Sequence, residues 1–253
     1  MVISVRTRMI KMRDYQDEFE KRVRFIKSLL AESGALGIVF GNSGGKDSAL
    51  VGILCKAACD NTVGLIMPCS SKRNYGEDID DAKEIAEKYG IETRFVDLTP
   101  VRDAELNALE GTSLNEAAVI NMAPRLRMLT LYAVAAAENR LVAGTGNRSE
   151  IYVGYFTKWG DGAHDFNPIA DLTATEVVEF LKYLGAPKSV IEKPPSAALF
   201  DGQTDEGEMG ITYKELDAYL TGGQIPDEKR ELVERMHRAS EHKRRGIVFY
   251  KEV

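Results

Sequence analysis

The chain has 253 residues, with 33 basic against 39 acidic side chains and a formal net charge of −6. With 44% hydrophobic and 28% charged residues there is enough apolar material for a real core, which excludes wholesale disorder. The mild acidity argues against a protein that coats nucleic acid. Cys55, Cys59 and Cys69 are too few, and odd in number, for a secreted disulfide framework. Residues 1–12 lead into no apolar stretch of a signal peptide. The longest uncharged apolar run, Met128 to Ala137, is far short of the ~18–20 residues that span a bilayer. A cytoplasmic protein with no nucleic-acid or membrane partner is expected, a single domain over residues 1–253 with a flexible tail at 1–12.

In chain order, Phe19, Val23, Ile26 and Leu30 recur at helical spacing, which predicts an amphipathic helix stopped by Gly34. Ala35 to Phe40 is an apolar run of strand length, and Asp47 to Ala58 reads as a helix. Thr62 to Met67 predicts a second strand. Glu77 to Tyr89 predicts a helix with Ile79, Ala82, Ile85 and Tyr89 on one face and Gly90 as its cap. Thr93 to Val96 is a third strand. Leu126 to Ala137 is helical, with Pro124 either starting or kinking it, and Leu141 to Ala143 is a fourth strand. Strands alternating with helices predict an α/β fold, Rossmann-like and three-layered. It has a central parallel sheet of about five strands with helices on both faces. Ligands of such sheets sit at the carboxyl ends of the strands.

The last third changes character. Thr173 to Glu176 and Thr212 to Glu215 are capping boxes that open helices, and Pro226 precedes a helix ending near His242. Two stretches, Val153 to Asp165 and Ser196 to Gly210, are rich in Gly, Asp and Thr and read as mobile loops. The second has no apolar periodicity and is expected to act as a lid that orders over bound ligands.

The sharpest signal is Gly41-Asn42-Ser43-Gly44-Gly45-Lys46-Asp47-Ser48, which joins the first strand to its helix. Gly44 and Gly45 let the backbone approach a ligand, Ser43 and Ser48 supply hydroxyls, and the helix aims its free N–H groups at the loop. This is not the Walker form. Asp47 beside a phosphate implies a bridging divalent cation. Gly144 to Glu150 follows the fourth strand, where it can face the loop. Thr145 offers a hydroxyl to a nucleotide, and Glu150 a second hard ligand, so Asp47 and Glu150 can hold one Mg²⁺.

The loop resembles that of the N-type ATP pyrophosphatases, which implies ATP as the ligand of Gly41 through Ser48. Later strings resemble, in the same order, the ammonia-dependent NAD synthetases. They are Gly144 to Glu150, Gly154 to Gly162 with Asp165 behind it, Pro195 to Leu199 leading to Gly202 to Glu206, Asn121 to Met128 and Glu241 to Arg245. The resemblance runs from about Phe19 to Tyr250. It implies ATP-dependent amidation of deamido-NAD by ammonia through an adenylate, with release of AMP and pyrophosphate. It further implies Ser196 as an ATP contact, and Arg125, Lys158, Asp165, His242 and Lys243 as deamido-NAD contacts. Asp165 joins Asp47 and Glu150 in the catalytic set, and Asp161, Asp165 and Asp205 are alternatives for taking a proton from ammonium. A homodimer is also implied. Trp159, the only tryptophan, either stacks on a ligand ring or packs.

Two positions depart from the family pattern: Ala174 stands where an ATP-contacting lysine is common, and Lys46 where an uncharged residue is common. The chain begins only a few tens of residues before its phosphate loop, so no glutaminase domain is expected in it, and free ammonia or a separate glutaminase chain is expected to supply the nitrogen. The alternatives are a tRNA-modifying ATP pyrophosphatase, which the acidic balance and lack of paired Cys-x-x-Cys disfavour, and a non-catalytic nucleotide sensor, which need not keep both Asp47 and Glu150.

Overall fold

The computed structural model describes residues 13–70, 75–194 and 204–250. Helix α1 (Tyr15–Ser33) is capped by the Asp14 carboxylate at its start and by Gly34 in the left-handed region at its end. Then come β1 (Gly37–Gly41), α2 (Lys46–Ala58), β2 (Thr62–Ile66), α3 (Glu77–Tyr89) and β3 (Glu92–Phe95). Helices α4 (Thr99–Ala108), α5 (Glu116–Ile120) and α6 (Met122–Glu138) lead to β4 (Arg140–Ala143) and α7 (Arg148–Val153). The remainder is helical: α8 (Ala174–Tyr183), α9 (Lys188–Glu192), α10 (Asp205–Met209), α11 (Tyr213–Leu220), α12 (Asp227–Ala239) and α13 (Glu241–Arg244).

Among the described residues the sheet has four parallel strands in the order β3-β2-β1-β4. About five were expected. A fifth position is begun by a single parallel bridge between Ala143 and Phe166. It goes no further because the Asp165 carboxylate accepts the Val142 N–H at 2.7 Å, Asn167 turns the chain by accepting from Ile169 N–H, and Pro168 has no N–H to donate. Pro124 lies in the first turn of α6, where a missing N–H costs nothing, so it starts the helix rather than kinking it.

Alternation along β1 divides the core. Ile38 and Phe40 face a cluster built with Ile26 of α1, Leu50 and Leu54 of α2, Ile85 of α3 and Phe180 of α8. Val39 points the other way, joining Val63 and Leu65 of β2, Val142 of β4 and Ala123 and Ala135 of α6. The sheet is thus covered on both faces, as a parallel sheet requires. A third cluster lies beyond it: Val153, Met209, Ile211, Tyr213, Leu216 and Val233 join α7, α10, α11 and α12.

That cluster changes one expectation. Within Ser196 to Gly210, residues 196–203 lie outside the described residues, Ser196 among them. Asp205–Met209 form α10, flanked by Thr204 and Gly210, and its Met209 is buried in the third cluster. Buried Met209, the hydroxyls of Tyr155 and Tyr213 on Asp205, and the Tyr213 N–H on Glu206 hold a five-residue helix that shows no periodicity of its own.

An ion cluster ties the amino-terminal helix to the segment that precedes α8. The Arg22 guanidinium, 9% exposed, donates to Pro168 O and to both Asp171 oxygens at 2.7 and 2.9 Å, and to Glu18 at 2.7 Å. Arg13 adds Glu176 at 2.7 Å and Asp171 at 3.0 Å. Removal of Arg22 takes the donor from Pro168 O and leaves Asp171 and Glu18 to Arg13 alone. Arg22→Ala is expected to lower the stability by about 2–3 kcal/mol in urea denaturation, and Arg22→Lys to recover less than half of that, because lysine lacks the planar fork.

Candidate active site

The order β3-β2-β1-β4 makes the carboxyl ends of β1 and β4 a switch point, because the chain leaves β1 toward β2 on one side and returns to β4 on the other. A cavity of about 1040 Å³ opens there. Its floor is the loop after β1. Gly44 has φ +73°, and a Cβ on it would run into the carbonyl oxygen of Asp78 at the start of α3. Only glycine fits that turn. Gly45 is the N-cap of α2 and offers no side-chain cap, so the first N–H groups of α2 are left for an anion. Ser43 Oγ and Ser48 Oγ lie 3.1 Å apart, Ser48 Oγ donates to Gly45 O at 3.0 Å, and Asn42 is anchored through Nδ2 to Ala82 O at 3.0 Å. Gly41, Asn42, Ser43, Gly45, Lys46, Asp47 and Ser48 all line the cavity; Gly44 packs behind them against α3.

The facing wall is the turn after β4. Asn147 caps α7 in a reciprocal box with Glu150: its Oδ1 accepts Glu150 N–H at 3.0 Å and its N–H donates to Glu150 Oε2 at 3.0 Å. Its Nδ2 donates to Asp47 Oδ1 at 3.0 Å. One residue therefore holds both carboxylates, Asp47 through its side-chain amide and Glu150 through its backbone N–H, and Thr145 lines the wall beside them. From the third side comes Asp205 of α10, 4% exposed, which accepts from the Tyr155 and Tyr213 hydroxyls at 3.2 Å each. The Tyr213 hydroxyl is also 3.4 Å from Glu150 Oε1.

These carboxylates disturb one another. Burial pushes Asp47 up to about 6, against the pull of the Asn147 amide and Lys46. Burial and then the charge of Asp47 raise Glu150 well above the usual carboxylate range. Burial and the same acids raise the Tyr213 phenol. Cations share the cavity. Burial lowers Lys46, Arg127 and Lys243, and each is drawn back by acids: Asp47 for Lys46, Asp161 for Lys243, and Cys69 and Asp161 for Arg127. Lys243 Nζ donates to Gly154 O and Phe156 O at 2.7 Å each, and Arg127 Nε to Met67 O at 3.0 Å.

The structure separates the remaining expected contacts. Lys158 and His242 line a smaller cavity of about 570 Å³ with Trp159 and Arg245. Lys158 Nζ donates to His242 O at 2.7 Å and lies 5.5 Å over the Trp159 ring. Trp159 is half-exposed at φ +61°, so it is not packed in a core. Arg125 is on the exposed face of α6, and it is Arg127 that lines the large cavity. Asp165 is exposed at the sheet edge, where Tyr132 donates to it at 3.2 Å. Of the three aspartates considered for proton transfer, Asp161 and Asp205 line the cavity and Asp165 does not. Ala174 lines it without a charge. Sequence reasoning assigned no role to Asn147 or Tyr213. Asn147 stood in a motif already singled out, as the N-cap three residues before a glutamate. Tyr213 carried no signal beyond its place after a capping threonine.

A family model described as NAD synthase matches residues 18–246. The chain is 47% identical over 92% of its length to an NH(3)-dependent NAD(+) synthetase of Carboxydothermus hydrogenoformans, of which it covers 96%. Among solved structures, an NMN synthetase from Francisella tularensis superposes with a TM-score of 0.90 at 37% identity, over 95% of this chain and all of that one. An NH3-dependent NAD synthetase from Campylobacter jejuni superposes at 0.76 with 32% identity, over the same shares. With the phosphate loop, the paired carboxylates and the switch-point cavity all in place, the chain belongs to the NAD synthase family.

Proposed function

We propose that this protein uses ATP to join ammonia to deamido-NAD, giving NAD, AMP and pyrophosphate. The observation that carries the reading is the phosphate loop set against Asp47 and Glu150 across Asn147 in one cavity. The nicotinate carboxylate attacks the α-phosphorus of ATP, the bond to the β-phosphate breaks, and pyrophosphate leaves. Ammonia then attacks the carbonyl of the adenylate and AMP departs. The chain supplies positioning and charge for these steps: N–H groups and hydroxyls of the loop for the phosphates, Thr145 beside the nucleotide, and Lys46, Arg127 and Lys243 as cations. Asp161 and Asp205 are the carboxylates within the cavity that can take the proton of ammonium. Lys158 and His242, in the adjoining smaller cavity, are assigned to the substrate's far end, and Arg125 and Asp165 to the outer surface, where a second subunit can bring a ligand to them.

The residues present fit Mg²⁺. Asp47 and Glu150 are two hard carboxylates, both raised by burial and Glu150 also by the charge of Asp47, and a divalent cation between them favours their ionised forms. Among the described residues no group of three or more His, Cys, Asp or Glu side chains is arranged to hold a metal, so phosphate oxygens and water would complete the shell. The ion, when bound, neutralises the charge of the triphosphate.

A homodimer is proposed from α6, which is apolar on nearly every side while Leu129 is 61% exposed. Among the described residues no helix is long and apolar enough to cross a membrane, and three free cysteines suit a reducing compartment; a cytoplasmic location is proposed. The chain is read as acting as one domain, since the family match spans nearly all of it.

A second acceptor has one observation in its favour, the TM-score of 0.90 to the NMN synthetase. Incubation with ATP, Mg²⁺, ammonium and either deamido-NAD or nicotinate mononucleotide decides. NAD plus AMP with the higher kcat/KM on deamido-NAD supports the main reading, and a higher kcat/KM on the mononucleotide replaces it. No AMP with either acceptor overturns both. Purified glutamine is expected to support no turnover where ammonium does, and equal rates would sink that assignment.

Asp47→Asn and Glu150→Gln are expected to slow pyrophosphate release by ~10³ or more without loss of stability. Asp47 rises from an ordinary 3.8 to about 6 on folding, so the folded state keeps its proton where the unfolded chain has released it. Its destabilisation is absent below about pH 4, grows through that window and is complete above about pH 6. In metal-free buffer at neutral pH, Asp47→Asn is therefore expected to unfold at the wild-type temperature or above it. At pH 4 the gain should vanish.

A further inference from the structure

Lys193 follows α9 and reaches across to the first turn of α3. Its Nζ lies 2.7 Å from Asp78 Oδ1 and 2.5 Å from Asp81 Oδ2, and all three side chains are nearly buried. The same turn of α3 touches the phosphate loop: the carbonyl of Asp78 lies against Gly44, and Ala82 O accepts from the Asn42 amide. Lys193 and Asp78 line the large cavity together with Ser43, Gly45 and Lys46. The ammonium is thus fixed against the turn that touches the loop, on the wall of the same cavity.

An ion cluster that served only to fasten α9 to α3 would have no reason to border the cavity. An ammonium has three donors. Two are taken by Asp78 and Asp81, and among the described residues no acceptor takes the third. Both carboxylates also hold the long side chain in one rotamer, so its ordering is complete before any anion arrives.

We propose that Lys193 is a pre-positioned phosphate-binding residue, which donates to the β- or γ-phosphate of ATP and to the pyrophosphate formed from them. Asp78 and Asp81 are its positioning residues. This rests on the reading of the cavity as an ATP site.

Calorimetric titration of inorganic pyrophosphate and of ATP, in the presence of Mg²⁺, tests this on the whole chain. Lys193→Met should bind pyrophosphate at least 10-fold more weakly than wild type, and its KM for ATP should rise by a similar factor while that for the nicotinate acceptor stays put. Asp81→Asn keeps the cation and removes a negative charge, so it should bind pyrophosphate as tightly as wild type or more tightly. Lys193→Arg should recover part of the loss. Equal pyrophosphate affinity in wild type and Lys193→Met overturns the proposal. An equal loss in Lys193→Met and Asp81→Asn does so too, because it would mark the cluster as a fastening alone. Should Lys193→Met fail to fold, Asp81→Asn decides by the direction of its effect. A wild-type protein that binds neither ATP nor pyrophosphate overturns the functional reading itself, and this one with it.

Discussion

The Asn147 carboxamide holds the two halves of the site at one spacing. Its Nδ2 donates to Asp47 on α2, and its Oδ1 accepts from Glu150 on α7. The strands that deliver these helices, β1 and β4, are neighbours in the sheet, so the turns that follow them face each other. A group with a donor and an acceptor on one short plane is what that gap accepts. Aspartate could cap α7 but could only repel Asp47, and leucine could do neither. With the amide in place, the loop after β1 has a fixed wall opposite it, and everything else that lines the cavity is arranged around that pair.

The arrangement runs against stability. Asp47, Glu150 and Asp205 are brought together in a place poorly reached by water, and two tyrosine hydroxyls offer them one proton each. A core built for stability alone would not keep three acids so close. Lysines and an arginine line the same cavity, which gives it patches of both signs. A ligand that carries several phosphates together with a divalent cation satisfies both patches at once, and neither a simple anion nor a simple cation does.

The carboxy-terminal helices complete the enclosure by backbone contacts. Gly154, at φ +72°, ends α7, and a Cβ there would collide with Ser240 between α12 and α13. That close approach brings Lys243 to the Gly154 and Phe156 carbonyls, and Arg244 to the Tyr152 carbonyl at 3.0 Å. The loop carrying Tyr155, Thr157 and Asp161 is thereby held against the cavity. It has few apolar residues of its own with which to stay there.

The α/β class, the four strands, the longer helices and the phosphate loop were legible in the sequence by itself, because each depends on local patterns: apolar runs of strand length, helical spacing as in Phe19, Val23, Ile26 and Leu30, capping boxes at Thr173 and Thr212, and glycines at a strand end; α4, α5 and α9 were not read. The pairing of Asp47 with Glu150 was legible as well, since both stand in strings that follow strands. Only the tertiary structure decided which charges share the cavity. Arg125 and Arg127 are two residues apart on one helix, and a helix turns about 200° between them, so one faces the cavity and the other the surface. Asp161 and Asp205, unlike Asp165, line the cavity, Asp161 from a turn and Asp205 from the helix that the buried Met209 closes. Lys193 meets Asp78 and Asp81 from more than a hundred residues away. Contacts of that kind leave no periodicity behind, since they follow from how helices pack rather than from how each one forms.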